Sequence, residues 1–161
     1  MERHFTVSGF VVDGDATLLH FHRMGFWLPP GGHIDPDEDP VQAVVREVLE
    51  ETGIVAEVVP SAPAFRFTNV AQLPPPMTIL VADVEEGPHQ HIDLVYALRP
   101  VDGEDVREPE RDHGFIWVSE ADLLANRPLP AAACGADICA PEDVRELGIA
   151  AIRLVRAQAA T

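Results

Sequence analysis

The stretch Pro29–Ile54, PPGGHIDPDEDPVQAVVREVLEETGI, changes character part-way along. Pro29, Pro30, Gly31 and Gly32 forbid a helix and favour a rigid loop, because proline lacks an N–H and glycine leaves the backbone unrestricted. From about Asp39 the period changes. Val41, Val44, Val45 and Val48 recur at helical spacing, with Asp39 or a neighbouring acid near the start and Gly53 just past the end. This spacing predicts a helix of about three to four turns. Its second face is electrostatically odd: Glu47, Glu50 and Glu51 fall within a sector of about 100°, beside the valine sector. Like charges three and four residues apart cost an isolated helix about a few tenths of a kcal/mol per pair.

A solvated surface helix with ordinary glutamates is the plain alternative, and three features count against it. The glutamates place oxygen ligands on one side, at a spacing that can converge on a hard divalent cation such as Mg²⁺. Arg46 precedes Glu50 by one helical turn and could orient a carboxylate by a charge-assisted hydrogen bond. The glycine-containing loop ahead of the helix lets backbone approach a metal or phosphate closely. Asp35 to Asp39 (DPDED) could open a calcium loop, but Pro40 stands where such a loop needs glycine, and Arg46 where it needs a bidentate glutamate.

Together, Gly32, Glu38, Arg46, Glu47, Val48, Glu50, Glu51, Gly53 and Ile54 match every defining position of a long pattern, and the chain here resembles the Nudix box of the Nudix (MutT-like) hydrolases. The preceding hairpin, the WLPPGG segment and the later FIWVSEADL are also similar to Nudix domains. The resemblance implies hydrolysis of a diphosphate bond in a nucleoside diphosphate linked to another group, dependent on Mg²⁺ or Mn²⁺, with metal-activated water attacking phosphorus. Carried over by position, Glu47, Glu50 and Glu51 would be metal ligands with the Gly32 carbonyl. Arg46 would orient a glutamate, Glu38 would support the loop–helix geometry or bind metal weakly, and Gly53 would end the helix. The family takes its general base either from the box, here Glu50 or Glu51, or from a later loop. Glu104, Glu108 and Glu110 are the later candidates, with Glu110 favoured because it lies nearest the returning strand.

Composition agrees with such chemistry. The chain has 161 residues, 47% of them apolar, with no break in composition, which reads as a single domain over 1–161 with a real core. Twenty-seven acidic against eleven basic residues give a formal charge of -16, which argues against nonspecific binding to nucleic acid polymers or an anionic membrane surface. An anionic small-molecule substrate would need cations, and the metal would supply them. No segment approaches the about 20 apolar residues of a membrane span, and MERHFTVSGF lacks the pattern of a leader, so the expected location is cytoplasmic. Cys134 and Cys139 exclude a four-cysteine zinc site and read as ordinary thiols. A homodimer is left open.

Along the rest of the chain, Phe5–Val12 and Thr17–His22 around Asp13 and Gly14 predict a β-hairpin. Strands are expected at Ile54–Val59, Met77–Val84, His91–Leu98 and from Phe115, and a short helix from Ser119 or Glu120 to Leu124. A last helix is expected to open with Pro141 at its first position. Such an irregular alternation fits a mixed β-sheet sandwiched between helices, an α/β/α Nudix fold, better than a regular βαβ array.

His89, His91 and Asp93 alternate and should share one face of a strand, able to bind substrate or a transition metal, or to bond locally. If that strand points toward the box, substrate contact is the better fit. Arg23 and Arg66 are further candidates for phosphate or base, and Phe26, Trp27 and Trp117 read as packing residues. Downstream markers by which the family separates substrates are not evident around Asn69 and Val70. Two alternatives to nucleotide hydrolysis stand: a non-nucleotide diphosphate substrate, and a Nudix-fold sensor that binds a nucleotide metabolite without turnover.

Overall fold

A computed structural model describes residues 1–84, 87–101 and 114–160. Ten strands and three helices are described: β1 (Glu2–Asp13), β2 (Ala16–Phe21), β3 (Trp27–Leu28), β4 (Gly31–His33), α1 (Pro40–Thr52), β5 (Ala56–Val59), β6 (Thr78–Val84), β7 (His89–Pro100), β8 (Phe115–Ser119), α2 (Glu120–Leu124), β9 (Leu129–Ala131), β10 (Ala136–Ile138) and α3 (Glu142–Ala159). β1 and β7 run parallel, from Glu2↔His89 to Val11↔Leu98. The other pairings are antiparallel: β1 with β2 and β4, β7 with β5 and β6, β2 with β3 and β8. The expected mixed sheet between helices is therefore present.

Side-chain alternation divides the core between the two faces. Val7 and Val11 of β1 and Tyr96 and Leu98 of β7 pack with Val44 and Val48 of α1. Phe10 and Val12, with Val95 and Ala97, point the other way and pack with Ile149, Ile152 and Val155 of α3. Gly9 allows α1 to sit close: a Cβ there would lie 2.8 Å from Leu98 Cδ1 and 2.9 Å from Val44 Cγ2, inside van der Waals contact.

The predicted helix forms as α1, and both of its ends have local causes. Asp39 accepts hydrogen bonds from the N–H groups of Val41 (2.8 Å) and Gln42 (2.9 Å), while the Gln42 side chain accepts from Asp39 N–H (3.0 Å). This reciprocal pair satisfies donors that a helix start leaves open, and Pro40 in the first turn has no N–H to satisfy. Gly53 closes the helix in the left-handed conformation, φ 73°, returning its N–H to the Leu49 carbonyl.

Beyond shifts of one to three residues at strand ends, three features differ from the sequence pattern. Short strands, β3 and β4, stand on either side of Pro29 and Pro30, the second taking in Gly31 and Gly32, because the loop is drawn into the sheet beside β1 and β2. α3 begins at Glu142, and Pro141 caps it in an extended conformation (φ -56°, ψ 156°) instead of occupying the first helical position. The β9–β10 hairpin was not expected, since Leu129–Ile138 has no alternating pattern to mark it. Cys134 stands in its turn and Cys139 just beyond it, both free.

His20 of β2 packs edge-on against Phe115, ring centroids 4.7 Å apart, and its Nδ1 is buried without a hydrogen-bond partner among the described residues. Burial, aided by nearby His22, pushes its pKa down from 6.5 to about 4. Between those values the unfolded chain binds the proton and the folded chain does not, so this residue removes stability as pH falls from 6.5 toward 4. Urea unfolding at about pH 7 and about pH 5 should show a larger loss for the native chain than for His20→Phe. Equal losses would assign the slope to other groups.

Candidate functional site

The box residues converge where the exposed edge of α1 faces β4. Gly31 N–H donates to Glu51 Oε2 at 3.0 Å. Gly32 lies against Glu47 so closely that a Cβ at this position would overlap that carboxylate. A side chain at Gly32 would displace that carboxylate, and one at Gly31 would run into the Val7 backbone carbonyl, so the two backbone units and two carboxylates form one close cluster.

Arg46 organises the rest. Its Nε and Nη2 each donate to Glu38 at 2.9 Å, through Oε1 and Oε2, in a bidentate pair. Nη1 reaches Glu47 Oε1 at 2.9 Å and Glu50 Oε2 at 3.2 Å, and Nη2 also reaches the His33 carbonyl at 3.1 Å. The Asp35 N–H donates to Glu38 as well, at 3.2 Å, tying the loop to the pair. The Arg46 guanidinium, aided by that N–H, holds the Glu38 carboxyl below the usual carboxylate range. Glu38 in turn raises the already high pKa of Arg46. Repulsion among Glu47, Glu50 and Glu51 is thus partly offset by one cation. Only Oε1 of Glu47 and Oε2 of Glu50 are committed to Arg46, so each can still present its second oxygen to a hard divalent ion, and the donor set fits one.

Other sequence candidates lie elsewhere. Glu104, Glu108 and Glu110 fall outside the described residues. Arg23 is exposed in the turn after β2, and Arg66 is exposed between Phe65 and Phe67, whose rings stack with centroids 6.1 Å apart. Trp27 is buried and donates Nε1–H to the Ile138 carbonyl at 2.9 Å, while Trp117 packs against the core beneath α1. Asp93 accepts a hydrogen bond from Thr6 Oγ1 at 2.8 Å, a local role within the sheet.

His91 belongs to a group that no spacing in the sequence announces. It shares a face of β7 with Val95 and Ala97, the side away from α1. His4, its partner in β1, and His33 of β4 meet it there. Burial and the neighbouring His33, His89 and His4 lower the His91 pKa, against a smaller opposite effect from Asp93. A cleft of 630 Å³ opens beside His4 and His33, with Glu38 and Pro40 at one side and Phe5, Ile79, Ile92 and Leu94 forming an apolar wall.

Known proteins resemble parts of the chain in sequence and nearly all of it in architecture. A MutT-like protein of Streptomyces ambofaciens is 49% identical over 55 residues, 33% of this chain and 36% of that protein. The m7GpppN-mRNA hydrolase NUDT17 of Danio rerio is 30% identical over 108 residues, 61% of this chain and 33% of that protein. Each match thus spans about a third of the length of these curated relatives. A solved hydrolase of the NUDIX family from Clostridium perfringens superposes with a TM-score of 0.70 at 28% identity, covering 96% of this chain and 99% of that one. The NUDIX domain model matches residues 2–137, from the first strand through the carboxylate cluster and on to the β9–β10 hairpin, and the chain belongs to the Nudix family.

Proposed function

We propose that this chain hydrolyses a diphosphate bond in a nucleoside diphosphate linked to another group, using Mg²⁺ or Mn²⁺. The observation that carries this reading is the placement of Glu47, Glu50 and Glu51 on one edge of α1, against a Gly31–Gly32 backbone with no side chain in the way. Glu47, Glu50, Glu51 and the Gly32 carbonyl would hold the ion. When bound, it supplies positive charge against the phosphates and makes water a stronger nucleophile near neutral pH.

The chain's own residues do the rest. Arg46 keeps Glu47 and Glu50 in place through a guanidinium anchored on Glu38. Glu50 or Glu51 accepts the proton of the attacking water, with Glu110 the alternative base from the later loop. A chain with a formal charge of -16 cannot attract an anionic substrate by its overall field, so local cations must do so. The name of the Danio rerio relative, an m7GpppN-mRNA hydrolase, supports a substrate built from a nucleoside on a phosphate chain.

A panel of ADP-ribose, NADH, dinucleoside polyphosphates, nucleoside triphosphates and nucleotide sugars, assayed with Mg²⁺ or Mn²⁺ and with products identified, tests the proposal. Cleavage of at least one member at a diphosphate bond, abolished by a chelator and restored by the metal, is the expected result. Tight binding of a member with no turnover of any would replace the hydrolase by a nucleotide sensor.

A further inference from the structure

Three strands bring four imidazoles together on the face of the sheet away from α1. His4 of β1 is the ladder partner of His91 of β7, while His33 of β4 stands opposite Thr6, which shares a face with His4. Ring centroids lie 5.3 Å apart for His4 and His33, 5.1 Å for His33 and His91, and 5.4 Å for His4 and His89. One nitrogen from each of His4, His33 and His91 falls within 4.8 Å of the other two.

Two details of the bonding point to a cation between them. Nδ1 of His4 and Nε2 of His33 are 3.2 Å apart. Two nitrogens on one tetrahedral ion, at ordinary zinc–imidazole bond lengths, stand about 3.3 Å apart. The remaining nitrogen of His4, Nε2, lies 3.2 Å from Glu2 Oε1. A carboxylate that accepts from Nε2–H would leave the Nδ1 lone pair directed at His33, the arrangement by which metal-binding histidines are commonly fixed. A simple imidazole–imidazole hydrogen bond explains His4 and His33 but gives the convergent His91 no part.

We propose that His4, His33 and His91 form a site for a transition-metal cation of the Zn²⁺ class, with His89 within reach of the fourth position. Imidazole nitrogen favours Zn²⁺, Ni²⁺ or Cu²⁺ and disfavours Mg²⁺, so this site and the carboxylate cluster sort metals by ligand chemistry. The rings that must turn to draw the nitrogens together are half-buried or exposed. The two sites are mechanically joined, because His33 follows Gly32 and its carbonyl accepts from Arg46. An ion on the histidines would fasten β4 to β1 and β7 and stiffen the segment that faces Glu47. This inference does not depend on the hydrolytic reading.

The test is Zn²⁺ uptake by the full chain in a large excess of Mg²⁺, measured calorimetrically and by metal content after gel filtration. The native chain should retain one equivalent that His4→Ala and His91→Gln each lose, and Glu2→Gln should weaken binding by about tenfold. Equal retention by the native chain and both histidine variants would overturn the proposal. Ring ¹⁵N shifts of the native chain give a second reading that needs no variant. Movement of His4, His33 and His91 on adding Zn²⁺ is expected, and unmoved resonances would refute the site.

Discussion

Glu51→Gln is expected to lower kcat by about 10²–10⁴-fold while leaving the chain folded. The substitution is nearly isosteric, and its amide oxygen can still accept the Gly31 N–H that Glu51 receives at 3.0 Å. What disappears is a negative charge at the point where carboxylates gather, and with it a ligand for the cation or a proton acceptor for water. Removing one member of a like-charged group also relieves repulsion, so the metal-free thermal midpoint should hold or rise slightly. Glu50→Gln should act in the same direction through its place in the same cluster. Steady-state rates at saturating Mg²⁺, with thermal melts in a chelator, separate lost chemistry from lost fold. Native-like rates in both variants would remove the carboxylates from the mechanism.

Arg46→Lys should be nearly as damaging for a different reason. A lysine ammonium keeps the charge but cannot grip Glu38 with two parallel bonds while also reaching Glu47, Glu50 and the His33 carbonyl. Loss of this charge-assisted network is expected to cost about 1–3 kcal/mol of stability. A loosened Glu47 and Glu50 should cost about 10²-fold in turnover, the scale on which small misplacements act. Glu38 adds a pH signature. Its carboxyl is held below the usual range when folded, so it contributes stability above the unfolded carboxylate pKa and loses it as pH falls through the folded value. In Arg46→Lys that acid-side contribution should shrink, which urea titrations across the carboxylate range would detect. Unchanged turnover would reduce Arg46 to a surface ion pair.

The carboxylate edge of α1 was readable in the sequence because everything that builds it is local. Valine spacing, the Asp39 start and the Gly53 stop define the helix, and the helix period alone puts Glu47, Glu50 and Glu51 on one edge. The hairpin and the central strands were readable for the same reason. The four-histidine group was not, since His4, His33 and His91 are neighbours only through the register of three strands far apart in the chain. Alternation did reveal that His89, His91 and Asp93 share a face, but not that Asp93 would be taken up by Thr6. The paired strands flanking Pro29 and Pro30, and the β9–β10 hairpin, were hidden because strands of two or three residues are too short to show alternation and are held there by their neighbours in the fold.

Gly9 carries no chemistry, yet it works as the gauge that sets how deep the helix bearing the carboxylates is seated. Val44 and Val48, the two α1 residues that would meet a side chain at this point, lie on the same helix as Glu47 and Glu51. A methyl group added to β1 at Gly9 would act as a shim, lifting the carboxylates away from Gly31 and Gly32 without touching any of them. The geometry of the carboxylate edge is therefore set partly by a missing side chain beneath the helix, on the far side from the diphosphate it is proposed to cut.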